Sequence, residues 1–296
     1  MAAATVSATT VKKRKKKESQ LSQIMKRLAT NKLAMVGLVV MAILILVAIF
    51  APFIAPYSIT EQDYGYIAKG PNAQHLFGTD YMGRDIFSRC VYGARYSLSL
   101  GLIASLFTAI VGNGIGIAVG YIGGKVDNVA MRICDILAAI PGQLLAIIIS
   151  SALGAGFIQT IIAMSIGGIP MSARNSRAMC LRERQMEYLE AAQSINVPRY
   201  KIMFKHMLPN VMAPALVGTT MSVGNSIMGA AGLSFIGLGI QPPTPEWGAM
   251  LSNARQYVTQ APYMMIFPGI LIAVVVLAIN LFGDGLRDAM DPRLKK

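Results

Sequence analysis

The side chains able to do covalent or proton-transfer chemistry are few and far apart. Ser234 stands in Gly232-Leu-Ser-Phe, the GxSx spacing of intramembrane serine proteases. A serine nucleophile needs a base within hydrogen-bond reach. The two histidines, His75 and His206, fall in separate loops, and two are too few for a metal site. Cys90, Cys134 and Cys180 form no CxxC pair and cannot make a disulfide framework. Gly112, Gly116 and Gly120 recur every fourth residue, which is neither GxGxxG nor a Walker A phosphate loop. In an apolar helix such a row lets a second helix approach closely. The spacing supports packing rather than catalysis.

The elements holding these residues are membrane helices. The 296 residues are 54% apolar and 14% charged, with a mean hydropathy of +0.52. A soluble domain carries about 25% charge. The sequence therefore predicts an all-α, polytopic membrane protein. A span needs roughly 20 apolar residues, and charge-free windows supply six: 33–54, 96–124, two within 136–173, 211–232 and 263–282. Gly154-Ala155-Gly156 divides the third window. With the amino terminus in the cytoplasm, 22 of the 27 Lys and Arg fall on that side, as the positive-inside rule requires. The layout is then a basic cytoplasmic tail (1–32), a first span (33–56), an external loop (57–95), a five-span core (96–284) and a cytoplasmic tail (285–296). The run from Lys12 to Lys17 reads as a tail that fixes orientation and touches anionic membrane lipid, not as a nucleic-acid arm. No cleavable signal peptide is expected, because the first apolar stretch is of full span length.

The span interiors hold no ionisable side chain, whereas an ion-coupled secondary carrier would keep a buried acid. Arg132 and Asp135 are spaced as an i,i+3 ion pair at the start of the third span. Asn113, Asn225 and Asn280 are expected to join helices.

The loop at 182–209 carries the strongest pattern. One helix is expected over 182–192. Asn196 suits the left-handed turn that ends a helix, and Pro198 suits the first turn of the next. Tyr200, Met203, Phe204, Met207 and Leu208 then make one apolar stripe, and Pro209 is expected to end that helix. A helical hairpin with such a stripe asks for a protein partner, or lies on the lipid surface.

Glu190-Ala191-Ala192, with Asn196 four residues beyond and Leu208-Pro209 at the end, resembles the EAA loop of bacterial ABC importer permeases. The family has glycine where Asn196 stands. His75-Leu-Phe-Gly78-Thr79-Asp80-Tyr-Met-Gly83-Arg84-Asp85-Ile-Phe-Ser-Arg89, followed by Arg95, is similar to the external segment of the dipeptide/oligopeptide branch. The ending 283–292 is similar to the same branch, C-type subunit. The resemblance implies a type I importer permease fold in the bacterial cell membrane. It implies a homologous B-type permease, two ABC ATPases that bind ATP and Mg, and an external solute-binding lipoprotein as partners. No cofactor is expected in this chain. The imported solute would be a di- or oligopeptide, or a nickel or other metal chelate.

Overall fold

The computed structural model describes residues 20–290, with side chains from Ile24 onward; the run from Lys12 to Lys17 lies outside them. Among the described residues the structure is helical, with one isolated bridge between Thr79 and Asp85.

Helix α1 spans Gln20–Thr30 and α2 spans Lys32–Ile49, continued by the short α3 (Ala51–Ile54). Asn31 separates the first two and caps α2, its Oδ1 accepting from Ala34 N at 3.2 Å. Apolar on every side, α2 buries only Ala34, Gly37, Leu44 and Ala48. Val36, Val39, Ile43 and Leu46 stay exposed, as expected of a helix bathed in acyl chains. The small stripe faces the last helix, which spans Tyr263–Met290. A Cβ on Gly37 would lie 2.9 Å from Phe282 N. Leu28 of α1 packs with Ala34 and Ala289 beside the same helix.

Helix α4 spans Ile86–Ile122, 37 residues, or about 55 Å. It begins ten residues before the expected span at 96 because its arginines find local partners. Arg89 Nη1 donates to the carbonyls of Ile59 at 2.7 Å and Pro243 at 3.2 Å. Arg95 donates to the carbonyls of Ala48 and Ile49. Both charges are thus answered by loop and helix-end carbonyls, so they do not forbid a helix.

The third span, expected as the first part of 136–173, is α6 (Gly142–Leu153), and a separate helix, α5 (Gly124–Ala138), precedes it at a bend of 83°. Pro141 pushes the preceding residue out of helical conformation. The expected Arg132–Asp135 pair is replaced by Arg174 Nη2 on Asp135 Oδ1 at 2.7 Å, because α5 crosses the next helix there. That helix, α7, spans Phe157–Glu183 and starts after the Gly154–Gly156 break.

Helix α8 (Glu187–Ser194), the single turn α9 (Arg199–Lys201) and a π-helical segment, Ile202–Met207, lead into α10 (Leu208–Phe235). The chain closes with α11 (Trp247–Ala254) and α12 (Tyr263–Met290). By length and apolarity α2, α4 and α12 can each cross a membrane, and the α5–α6 pair is a fourth crossing if taken together. Helices α7 and α10 have 27 and 28 residues, about 40 Å each, but Ser, Thr and Asn along them lower their hydropathy.

Candidate functional site

Helices α4, α6, α7 and α10 enclose a cavity of about 400 Å³. Its wall is neutral. Asn113, Gln143, Asn175, Ser222 and Asn225 supply polar groups between glycines and methionines, and no charged side chain reaches it. The glycine row lies beside it, in the contact between α4 and α7. A Cβ on Gly112 would lie 2.6 Å from Ser172 Cβ, one on Gly116 would strike the Ala173 carbonyl, and one on Gly120 would lie 3.0 Å from Cys180 Cβ. These three glycines set how closely α4 and α7 approach.

Below the cavity the hairpin 184–207 packs on the ends of α4 and α7. Leu189, Ala192, Ile202 and Met207 are buried against Ile117, Cys180 and Val211. The expected first helix over 182–192 is interrupted: α7 runs on to Glu183, a turn follows, and α8 begins at Glu187. Asn196 takes φ = 54°. The hydrogen bonds Val197 N to Ala192 O at 3.1 Å and Asn196 N to Gln193 O at 2.9 Å close the helix end as a Schellman turn. The apolar stripe divides in two. Met207 of the stripe is buried, as is Ile202, which the stripe did not include, with Met203 and Leu208 half-buried, while Tyr200 and Phe204 are 61% and 59% exposed. Glu190 and Ala191 of α8 are exposed as well. Pro209 does not end the helix. It occupies the first turn of α10, where no N–H is required, and the π segment joins that turn to α9 without a gap.

Polar contacts tie hairpin to core. Tyr121 Oη donates to Arg199 O at 2.8 Å, Arg184 Nη1 donates to Gly120 O at 3.1 Å, and Asn210 Nδ2 donates to Tyr188 Oη at 2.7 Å. Burial, with a hydrogen bond to Glu183, raises the Tyr188 phenol above its usual pKa, so it stays neutral. Arg177 grips Asp127 of α5 in a two-pronged pair, Nη2 to Oδ2 at 2.6 Å.

The residues of the 78–95 motif gather at the other end of α4, and they are turned inward. Asp80 Oδ1 accepts from the backbone N–H groups of Met82 and Arg84, and its Oδ2 accepts from Arg84 Nε at 2.7 Å. Arg89 Nε lies 3.8 Å from the same carboxylate. Asp85 caps α4 through Ser88 N and holds His75 Nδ1 at 2.9 Å. Thr79 donates to Tyr66 O. Gly78 and Gly83 both take φ = 78°, where a side chain would also strike Lys69 O or Asp63 O. Glu246 and Trp247 complete this clasp: Glu246 caps α11 and accepts from Ser97 Oγ at 3.0 Å, and Trp247 Nε1 donates to Cys90 O at 3.0 Å. The motif thus fixes the start of α4. Ser234 lies apart from it, buried, its hydroxyl without a hydrogen-bond partner among the described residues, so nothing activates it.

Gln143, Asn175 and Ser222 belong to the site although no motif in the sequence marks them. The available signal is the density of Gly, Ser and Asn along 165–176 and 218–232, unusual for helices facing only lipid.

Comparison with known proteins agrees with this architecture. Residues 112–296 match the family described as binding-protein-dependent transport system inner membrane component. Residues 19–71 match the N-terminal TM domain of oligopeptide transport permease C. The chain is 45% identical, over 91% of its length and 89% of the relative's, to the dipeptide transport system permease protein DppC of Alkalihalophilus pseudofirmus. It has the same identity and coverage with the glutathione transport system permease protein GsiD of Escherichia coli O1:K1. In an inward-facing structure of the MetNI methionine ABC transporter, one chain superposes with a TM-score of 0.56 at 20% identity, covering 70% of this chain and 98% of that one. A neutral cavity inside the bundle, a docked hairpin beneath it and these likenesses agree: the chain belongs to the binding-protein-dependent transport system inner membrane component family and is a membrane permease of the ABC type.

Proposed function

We propose that this permease is one of two unlike membrane subunits of a bacterial peptide importer. A homologous B-type permease completes the passage, two ATPases bind ATP and Mg and drive it, and an external solute-binding lipoprotein delivers the peptide. The permease itself is not catalytic. Its six spans place both termini in the cytoplasm, with 57–95 outside and 182–209 inside. The 22-to-5 division of basic residues supports that orientation. The two relatives carry a dipeptide and glutathione by name, and glutathione is itself a short peptide.

The observation that carries this reading is the hairpin. It anchors Leu189, Ile202 and Met207 in the core and leaves Glu190, Ala191, Tyr200 and Phe204 facing away from it. A surface that is rigidly backed, aromatic and charged is built for a protein contact, and the ATPase is that protein. The cavity is the passage. Its neutral wall holds a zwitterion weakly, because each poorly compensated charge costs several kcal/mol. Affinity and selectivity therefore belong to the external binding protein.

The test is Glu190→Lys. Membrane insertion is expected to persist, while ATPase co-purification falls about 30-fold, the loss of a close charge contact being worth about 2–5 kcal/mol. Unchanged co-purification with unchanged uptake removes the hairpin from the ATPase contact.

A further inference from the structure

Asn113 lies on α4 next to the packed Gly112 and forms part of the cavity wall. Its Oδ1 accepts two hydroxyl hydrogen bonds from α7, Ser172 Oγ at 2.8 Å and Ser176 Oγ at 2.6 Å. Two donors fill the two lone-pair directions of one carbonyl oxygen. The carboxamide is planar, so fixing its oxygen fixes its nitrogen. Ser176 is 1% exposed, which keeps water from competing for that anchor. Nδ2 makes no hydrogen bond to any described residue. Two N–H donors are therefore held in place at the edge of the cavity without an acceptor.

The surroundings decide what acceptor fits. Asn175, Ser222 and Asn225 share the cavity, and the lining carries no charge. A fixed neutral donor binds a carbonyl or carboxylate oxygen without the reorganisation a flexible side chain requires. It also holds that oxygen less tightly than a lysine or arginine would. Peptides of every sequence carry such oxygens on the backbone and at the carboxyl end.

We propose that Asn113 is a substrate-contacting residue, clamped by Ser172 and Ser176 so that both its N–H bonds take a backbone carbonyl or carboxylate oxygen of a peptide in transit. The proposal rests on the cavity being the passage. The contact reads what all peptides share, not their side chains, and as a neutral contact it releases readily.

Asn113→Asp is the direct test. It keeps the shape, leaves one oxygen to accept both serine hydroxyls, and puts an acceptor where the donors were. In the whole reconstituted transporter with its binding protein, the maximal uptake rate of labelled dialanine is expected to fall at least tenfold. The half-saturating concentration should stay unchanged, because the binding protein sets it. Ser172→Ala with Ser176→Ala, which frees the carboxamide without removing it, is expected to lower the rate about threefold. Ser222→Cys, on another wall of the cavity, reports on the passage itself. Its thiol is expected to react with a methanethiosulfonate and block uptake, against native cysteines that are all buried. If that modification blocks uptake while Asn113→Asp stays within twofold of wild type, Asn113 does not touch substrate and the passage stands. If it leaves uptake intact, the passage reading fails and this proposal with it. Should Asn113→Asp not co-purify with its partners, Asn113→Cys decides between contact and no contact. Saturating dialanine must slow its modification at least threefold, and equal rates with and without peptide overturn the contact.

Discussion

The two ends of α4 carry the two motif-bearing regions, and they use charge in opposite ways. At the 78–89 end, Asp80, Arg84, Asp85 and Arg89 are each less than a tenth exposed and spend their hydrogen bonds on one another, on helix N–H groups and on carbonyls. In the hairpin at the other end, Glu190, Arg199, Lys201 and Lys205 are all exposed. A motif is therefore no guide to a contact surface until burial is known. The first region is a set of charges that cancel locally so that a helix can start. The second is a rigid platform whose charges remain available to another molecule.

Four tests by substitution press on that difference, from large effect to small. Asp80→Ala leaves Arg84 and Arg89 buried without their carboxylate. Breaking such a pair costs about 3–5 kcal/mol, so the detergent-solubilised protein should melt far lower or not accumulate. Melting at the wild-type temperature would show the clasp to be dispensable. Gly116→Val drives a branched side chain into the Ala173 carbonyl. Overpacking of this kind costs about 1–3 kcal/mol, visible as a lower melting midpoint and weaker thermal stability of the assembled complex. Asn196→Val forces a β-branched residue into the left-handed region at about 1–2 kcal/mol, whereas Asn196→Gly should be neutral. Equal melting of the two would mean that the turn relaxes. The pair Tyr200→Ser and Phe204→Ser touches only exposed rings. It should move the melting point by less than about 0.5 kcal/mol of stability yet weaken ATPase co-purification, and a melt as damaged as that of Asp80→Ala would erase the contrast between the two regions.

Much of the fold was legible because a charge-free window of span length has few alternatives. The Gly154–Gly156 break and the left-handed Asn196 were legible too, since local backbone preference decided both. Other features depended on partners distant in sequence. The start of α4 was hidden because Arg89 and Arg95 look like loop residues until the carbonyls of Ile59, Pro243, Ala48 and Ile49 are placed beside them. The inward turn of Ile202 was hidden because a π segment departs from the 3.6-residue period that defines the stripe. The cavity was hidden for a third reason. Its wall is drawn from four helices, and each contributes neutral residues that alone suggest only helix packing.

The pairing of α2 with α12 has a consequence in time. Synthesis delivers α2 well before α12, so the face at Ala34 and Gly37 enters the bilayer before the helix that packs on it has been made. Until then that face meets lipid tails, which fill a groove of small residues poorly, while the other end of α2 can already pack on α4. A chain stalled before Tyr263 therefore keeps that groove open. Such a chain should be cut by membrane proteases faster than one that contains α12.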